Sequence, residues 1–247
     1  MEKSLIKAAK AIKESKYAVV FTGAGVSVES GIPPFRGSTG LWSKYDPIVL
    51  DINFFYSNTL EAWKVIKELF YDFFGKASPN AAHLVLARFE KQGKIKSIIT
   101  QNIDNLHQEA GSKTVYEFHG TAHTMVCTKC RKKYESPQVD LKILPPKCKI
   151  CGHVLKPDFI FFGEAIPEFA NRKSFEEAEK CDVLIVIGTT GEVMPASMIP
   201  NIAKQNGALI IEINPEASLF TNHITDIYLK GKAAEVLTAI EKCINEL

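Results

Sequence analysis

Short apolar runs alternate with amphipathic segments along most of the chain. Runs rich in Val and Ile predict strands at residues 18–22, 95–100, 183–187, 208–213 and 226–229. Nearly continuous apolar runs are typical of strands buried on both faces of a parallel sheet. Helical spacing predicts helices between these runs, at residues 4–15, 59–74, 80–92, 197–205 and 233–245. The alternation predicts an α/β fold built on a parallel sheet.

Two stretches are too long to be simple connections within such a sheet, and we interpret both as insertions. Residues 37–78 are rich in aromatic residues, including Trp42, Trp63 and Phe70, and predict a small helical unit. Residues 121–157 hold four of the six cysteines.

Charge and composition exclude several functional classes. Hydrophobic residues make up 46% and charged residues 23% of the 247 residues, as in globular proteins. A net charge of +2 is too small to predict direct binding of nucleic acid or of an anionic membrane. The first ten residues predict an amphipathic helix rather than a signal peptide, and no apolar run approaches the ~18 residues that span a bilayer. We therefore expect a cytoplasmic protein that has no membrane partner.

Four cysteines have the spacing of a metal site. Two residues separate Cys127 from Cys130, 17 follow to Cys148, and two more separate Cys148 from Cys151. Two Cys-x-x-Cys pairs at this spacing predict one site for a tetrahedral zinc ion. Two disulfides are the alternative, which the expected reducing compartment disfavours. Four thiolates leave no open coordination position, so the predicted role of the zinc is structural.

A glycine-rich loop directly follows the first predicted strand. Gly23, Ala24 and Gly25 stand where a dinucleotide-binding loop lets the backbone approach a pyrophosphate, although a tight turn would need the same glycines. Val28 occupies the position of the third glycine of the Rossmann fingerprint, which disfavours an ordinary dehydrogenase. The loop continues to Phe35, which could shield a reactive centre, and to Arg36, which could reach a phosphate.

Together with the cysteines, short motifs spread over residues 18 to about 235 resemble the sirtuins, a family of NAD-dependent protein lysine deacylases. The matching segments are Gly23 to Ser27, Gly31 to Arg36, Gln101 to Asp104, His119 with Gly120, Phe161 to Glu164, Gly188 to Thr190, and Asn214. The resemblance implies a Rossmann-like large domain formed by residues 1–36, 79–120 and 158–247. It also implies a smaller domain made of the helical insertion 37–78 and the zinc ribbon 121–157.

The resemblance further implies which residues meet NAD and an acylated lysine of a protein or peptide. The implied NAD site consists of Gly23, Ala24, Gly25, Val28, Phe35, Arg36, Gln101, Asn102, Ile103, Asp104, His119, Gly188, Thr189, Thr190, Asn214 and Lys232. The implied peptide-binding strand contains Ile160, Phe161, Phe162 and Gly163.

By the same resemblance, His119, Asn102 and Asp104 are the predicted catalytic residues. An imidazole is largely neutral and still basic at cytoplasmic pH, so His119 is the candidate general base; spacing alone would favour a structural histidine. Asn102 would orient a ribose hydroxyl or a water, and Asp104 with Ile103 would hold the nicotinamide carboxamide. Asp104 could also cap the helix that contains Leu106. The products would be nicotinamide, free lysine and O-acyl-ADP-ribose; mono-ADP-ribosyl transfer and NAD hydrolysis are alternatives.

Two departures from the family pattern bear on specificity. Glu192 follows the Gly188 to Thr190 motif, where it could favour basic residues beside the acyl-lysine or be an ordinary solvated side chain. The segment 37–78 has no Arg to pair with an acyl carboxylate. Its apolar residues predict a tunnel for acetyl and longer apolar groups, formed by Ile66, Leu69, Phe70, Phe73 and Phe74.

Overall fold

A six-stranded parallel sheet forms the centre of the computed structural model, which describes residues 2–35, 40–73 and 77–247. The strands of these residues are β1 (Ala18–Thr22), β2 (Ser97–Thr100), β3 (Val115–Glu117), β4 (Gly120–Cys127), β5 (Lys133–Glu135), β6 (Leu155–Phe159), β7 (Val183–Ile187), β8 (Leu209–Asn214) and β9 (Ile227–Lys230). The large sheet has the order β3-β2-β1-β7-β8-β9. The strands β2 and β3 therefore follow one another on one side of β1, and the strands β7, β8 and β9 follow one another on its other side.

Helices cover both faces of this sheet. They are α1 (Glu2–Glu14), α2 (Ile52–Ser57), α3 (Thr59–Ile66), α4 (Ala81–Lys91), α5 (Leu106–Glu109), α6 (Glu168–Lys180), α7 (Met198–Gln205) and α8 (Ala233–Glu246). Val20 and Ile185 point to the face packed by α1, α4 and α8, whereas Val19 and Leu184 point to the face packed by α6 and α7. This strict alternation explains why β7 is apolar at every position and β1 at every position but Thr22.

A second apolar core joins the two predicted insertions. The antiparallel sheet β5-β4-β6 packs against α2 and α3, and Trp63 is fully buried between them. The indole nitrogen of Trp63 donates a hydrogen bond to the carbonyl oxygen of Leu155, at 2.9 Å. The domain boundaries proposed from the sequence stay a prediction, but the helical insertion and the cysteine-bearing insertion share this core.

The predicted α/β class with a parallel sheet is confirmed, and individual elements differ from the prediction. The continuous helix predicted over residues 59–74 is α3 followed by a π-helical segment, Lys67–Phe73. The sequence does not predict the positions of the short edge strand β3, of the helix α6 or, within the insertions, of α2, β4, β5 and β6. Within the described ranges, no helix combines the length and the apolar character needed to cross a bilayer.

Candidate active site

A cavity of about 860 Å³ opens at the carboxyl ends of the central strands. Its wall includes Gly23 after β1, Gln101 after β2, Gly188 after β7 and Asn214 at the end of β8. β1 and β7 are the adjacent strands from which the two halves of the sheet extend in opposite directions. Open α/β sheets bind their ligands at such a switch point, because the loops of the two halves diverge there.

Most of the residues predicted to bind NAD line this cavity. They are Gly23, Ala24, Gly25, Val28, Phe35, Gln101, Asn102, Ile103, His119, Gly188, Thr189, Thr190, Asn214 and Lys232. Arg36 lies outside the described residues. Predicted residues from segments 23–35, 101–103 and 188–190, together with His119, Asn214 and Lys232, are thus brought to one place from distant parts of the chain.

Among the described residues of the predicted NAD site, Asp104 is the one that does not line the cavity. One carboxylate oxygen accepts a hydrogen bond from the Ser27 hydroxyl at 2.7 Å and one from the Asn102 side-chain amide at 3.2 Å. The other oxygen accepts the backbone N–H of Leu106 at 3.0 Å, which is the helix-capping role considered for it. Asn102, by contrast, is buried and does reach the cavity wall.

The glycines of the first loop are required by a contact between two loops. The backbone N–H of Gly25 donates to the carbonyl oxygen of Gly188 at 2.8 Å. A Cβ atom added to Gly25 would lie 2.5 Å from the Cα of Gly188, and one added to Gly23 would lie 2.8 Å from the Gly188 oxygen. The sequence interpretation assigned these glycines to the approach of a pyrophosphate. The structure adds a second reason, which is the packing of the β1 loop against the β7 loop.

His119 stands on the cavity wall with its orientation fixed. Its Nδ1 atom lies 3.1 Å from the carbonyl oxygen of Gln101, and its own carbonyl oxygen accepts the N–H of Ile160 at 2.8 Å. A carbonyl can only accept, so Nδ1 carries the proton in this hydrogen bond and Nε2 keeps its lone pair. Burial lowers the pKa of His119 below its ordinary value of 6.5, whereas the bond to Gln101 opposes that shift. The ring is therefore a neutral base at pH 7.

A buried polar cluster lies next to the glycine loop. Ser27 and His83 are fully buried, and the Ser27 oxygen lies 3.5 Å from Nε2 of His83. His107 packs edge to face on His83, with ring centroids 4.8 Å apart. Burial lowers the pKa of His83 to about 4, and burial also places that of His107 well below 6.5. Both rings are thus neutral, as expected of structural histidines.

The predicted peptide strand forms a further part of the wall. Ile160, Phe161, Phe162 and Gly163 all line the cavity, with Phe161 buried and Phe162 48% exposed. The N–H of Phe162 donates to Leu50 at 2.8 Å, and its carbonyl oxygen accepts the N–H of Ile52 at 3.0 Å. The segment lies beyond the end of β6 and is not a regular strand as predicted, but Phe162 forms an isolated bridge with Asp51, and the two bonds attach the segment to the helical insertion.

Only part of the predicted acyl tunnel lies on the cavity wall. Phe70 lines the cavity, whereas Ile66 and Leu69 are buried in the second core instead. Phe74 and the side chain of Phe73 lie outside the described residues. Sequence reasoning missed several other lining residues, notably Trp42, Leu50, Phe159, Glu164, Ile166, Val193, Met194 and Glu216. The aromatic content of the insertion is the sequence signal for Trp42, and the motif from Phe161 to Glu164 is the signal for Glu164.

The four cysteines converge at one end of the small sheet. The Sγ atoms of Cys127, Cys130, Cys148 and Cys151 lie within 4.8 Å of one another. The Cys127–Cys151 and Cys130–Cys148 sulfur separations are 3.4 and 3.6 Å. Tetrahedral zinc with Zn–S bonds of about 2.3 Å separates sulfurs by roughly 3.8 Å, so the cluster fits zinc. The Tyr134 hydroxyl, 3.1 Å from Cys148 Sγ, together with the backbone N–H groups of Cys151 and Ile150, lowers the pKa of that thiol to about 6.

Comparison with known proteins agrees with this arrangement. The model of the Sir2 family matches residues 23–195. A protein of Pyrococcus furiosus named NAD-dependent protein deacylase is 44% identical, over 96% of this chain and 97% of the relative. A solved Sir2 homologue in complex with ADP-ribose is 42% identical, with a TM-score of 0.92 over 97% of this chain and 96% of the other. A Sir2 structure holding a deacetylated peptide and acetyl-ADP-ribose is 36% identical, with a TM-score of 0.91 over 96% of each chain. The resemblance to sirtuins is confirmed, and the chain belongs to the Sir2 family.

Proposed function

We propose that this protein uses NAD to remove acetyl groups, and longer apolar acyl groups, from lysine side chains of proteins. The reaction releases nicotinamide and O-acyl-ADP-ribose. The observation that carries the proposal is the neutral His119 on the wall of a cavity that also contains the two glycine loops. The deacylase name of the Pyrococcus furiosus relative supports the same reaction.

The cavity wall fits a dinucleotide in shape and chemistry. Gly23 and Gly25 leave backbone rather than side chain at the end of β1, and Thr189 and Asn214 offer polar groups on the neighbouring strands. Lys232 is the one cationic side chain among the described lining residues, and it would face a phosphate. Gln101 and Thr189 are already joined by a hydrogen bond of 3.1 Å. When bound, NAD supplies a glycosidic bond whose cleavage develops positive charge on a ribose.

The chain's own residues would then move one proton and exclude water. His119 would accept a proton from a ribose hydroxyl at Nε2, while Gln101 holds the other ring nitrogen. Asn102 would orient that hydroxyl or a water molecule. Ile103 and Phe35 are apolar parts of the wall that keep water from the reacting carbon. For Asp104 to hold a carboxamide, its carboxylate would exchange the Ser27 hydrogen bond for the ligand, and this role stays a prediction.

The substrate would be an acylated lysine in an extended segment of protein. Gly163 is exposed on the cavity wall next to Phe162, whose own N–H and carbonyl oxygen already bond to Leu50 and Ile52, so the backbone of Gly163 would pair with such a segment, which gives affinity with little sequence preference. Glu192 is exposed and precedes the lining residues Val193 and Met194 in the chain, and a preference for basic neighbours of the lysine stays a prediction. Phe70 and the lack of an Arg in residues 37–78 support apolar acyl groups over charged ones.

The zinc would be structural, because four thiolates leave it no open position. Four unpaired thiols at this spacing need a reducing compartment, which supports a cytoplasmic location. The net charge of +2 supports protein rather than nucleic acid as the partner.

One assay tests the proposed function. The protein is incubated with NAD and an acetyl-lysine peptide, and nicotinamide, peptide mass and O-acetyl-ADP-ribose are followed together. We expect the three signals to rise in equal amounts. Nicotinamide release without peptide would instead identify an NAD glycohydrolase, and a gain in protein mass would identify an ADP-ribosyltransferase. Faster loss of succinyl than of acetyl groups would contradict the predicted apolar acyl site.

A further inference from the structure

Lys156 is a buried cation directly beneath the predicted peptide strand. It lies on β6 with 5% of its surface exposed. Its ammonium group donates hydrogen bonds to the carbonyl oxygens of Pro157 at 2.9 Å and Phe159 at 2.7 Å. It also forms an ion pair with a carboxylate oxygen of Glu164, at 2.9 Å. All three partners lie within the eight residues that follow Lys156 in the chain.

The same carboxylate fixes the backbone of the cavity wall. The Glu164 oxygen that meets Lys156 also accepts the N–H of Phe161 at 2.9 Å. The ammonium group lies 4.1 Å from the centroid of the Phe161 ring. Glu164 and Phe161 both line the cavity. One buried charge therefore closes the segment from β6 to Glu164 into a loop of fixed shape.

A contribution to stability does not by itself explain this arrangement. Removing a lysine from water is costly, and an apolar residue of similar volume in place of a buried ion pair is often neutral or stabilising. The same sheet contains a surface pair, Lys133 with Asp158 at 2.6 Å, in which the lysine side chain is 66% exposed. The buried pair differs from the surface pair in its position against the cavity wall.

We infer that Lys156 is a positioning residue for the peptide substrate, which holds Phe159 to Glu164 in the shape that an extended acyl-lysine segment pairs with. The inference rests on the proposed function, because it deepens the role of the segment 160–163. Lys156 touches neither NAD nor the reacting atoms in this scheme. Its loss should therefore weaken peptide binding and leave NAD binding and the chemical step nearly unchanged.

The test compares Lys156→Met with Lys156→Arg, and uses Lys133→Met as the matched control. Loss of about one charge-assisted hydrogen bond should raise the KM for an acetyl-lysine peptide roughly tenfold in Lys156→Met. The KM for NAD and kcat should stay within about twofold, and Lys156→Arg should recover most of the peptide affinity because it keeps the charge and the donors. Lys133→Met should change none of these constants. Each variant should bind zinc in the same ratio as the wild type.

A second measurement does not depend on turnover. Hydrogen exchange of the segment 157–164 should be faster in Lys156→Met than in the wild type and unchanged in Lys133→Met. Peptide binding, followed by fluorescence anisotropy, should weaken in parallel. If Lys156→Met does not fold, Glu164→Gln removes the ion pair from the other side and should raise the peptide KM several-fold.

Failure of the proposed function and failure of the inference about Lys156 give different results. A wild type that neither binds nor deacylates the peptide overturns the proposed function. A wild type that is active, with a Lys156→Met variant that has the same peptide KM, or equal rises in the KM for peptide and NAD, overturns the inference about Lys156.

Discussion

The Nδ1 atom of His119 and the carbonyl oxygen of Gln101 are 3.1 Å apart, and this contact assigns the proton of the ring to Nδ1. Gln101 follows β2, and His119 follows β3, its neighbour in the sheet. The parallel pairing of these two strands therefore decides which nitrogen of the imidazole can act as a base.

Replacing His119 by Ala should remove acyl transfer while leaving the fold intact. Loss of a general base typically costs ~10²- to 10⁴-fold in rate, and we expect a fall of at least 10²-fold in kcat. The side chain is only partly buried, so the thermal transition and the zinc content should match the wild type. Turnover within a few-fold of the wild type would remove His119 from the mechanism.

The pH dependence of kcat/KM should reflect the lowered pKa of His119. Burial favours the neutral ring, so the active form dominates at every pH above the ordinary value of 6.5. We expect a constant rate between pH 7 and 8 and an acid limb with a midpoint below 6.5. An acid limb centred at pH 7 or above would contradict this environment.

His83 should make the fold less stable in mild acid. Its pKa is about 4 in the folded protein and 6.5 in the unfolded chain, so the unfolded chain binds the proton first. The stability is therefore complete above pH 6.5 and is lost as the pH falls toward 4. Between pH 7 and pH 5 the loss from His83 should be about 2 kcal/mol.

This loss can be measured by urea unfolding of the wild type and of His83→Gln at the two pH values. The wild type should lose about 2 kcal/mol more than the variant between pH 7 and 5. Equal losses would show that His83 does not stay neutral in the folded protein. Titrating groups that do not contact His83 are present in both proteins and cancel in the comparison, whereas His107 packs on His83 and responds to the substitution as well.

Tyr134 should slow the release of zinc. Its hydroxyl donates to Cys148 Sγ at 3.1 Å and accepts the N–H of Lys149 at 3.1 Å, so it orients a ligand of the metal. Partners of this kind typically contribute ~10- to 100-fold in metal affinity. In Tyr134→Phe we expect roughly tenfold faster zinc transfer to a chromogenic chelator. Tyr56→Phe, at a tyrosine that is 59% exposed, is the matched control and should release zinc at the wild-type rate.

Glu212 should couple the stability of the fold to the affinity for NAD. This fully buried carboxylate accepts hydrogen bonds from the hydroxyls of Ser218 at 2.6 Å, Thr221 at 3.0 Å and Thr225 at 2.7 Å. It thereby holds the loop after β8, whose Leu219 N–H donates to the Thr190 carbonyl oxygen at 3.0 Å. Glu212→Ala leaves three hydroxyls without this partner and should cost about 1–3 kcal/mol of stability.

The same variant should raise the KM for NAD more than the KM for peptide, because the loop borders the Thr190 turn and contributes Pro215 and Glu216 to the cavity wall. Glu235→Ala, at an exposed position, is the control. An NAD KM equal to that of the wild type, in a variant with the expected loss of stability, would limit Glu212 to a structural role.

The parts of the fold that depend on apolar periodicity could be predicted from the sequence. The strands that became β1 and β7 were placed at their observed bounds because every residue in them is buried. Helix α6 could not be predicted from apolar periodicity, because the face that it buries consists of small and polar residues: Ala170, Ser174, Glu177 and Ala178. Glu177 is buried because its carboxylate accepts hydrogen bonds from Ser97 and Tyr17, which are distant in sequence.

The candidate site was predictable as a set of residues, because most of them belong to motifs that come together at the carboxyl ends of the strands. Their individual contacts were not predictable. Asp104 faces Ser27 rather than the cavity, and that pairing depends on how two loops pack. The role of Lys156 could not be predicted either, since a lysine within a strand pattern is usually a solvated side chain.

The contact of Gly25 with Gly188 has a consequence for redesign of this enzyme. Each glycine occupies the space that a side chain on the other would need, so neither can be exchanged while its counterpart keeps its place. A library aimed at synthetic dinucleotides should therefore hold both glycines constant. It should diversify Val28 and Glu216, which line the same cavity and take no part in the contact between Gly25 and Gly188.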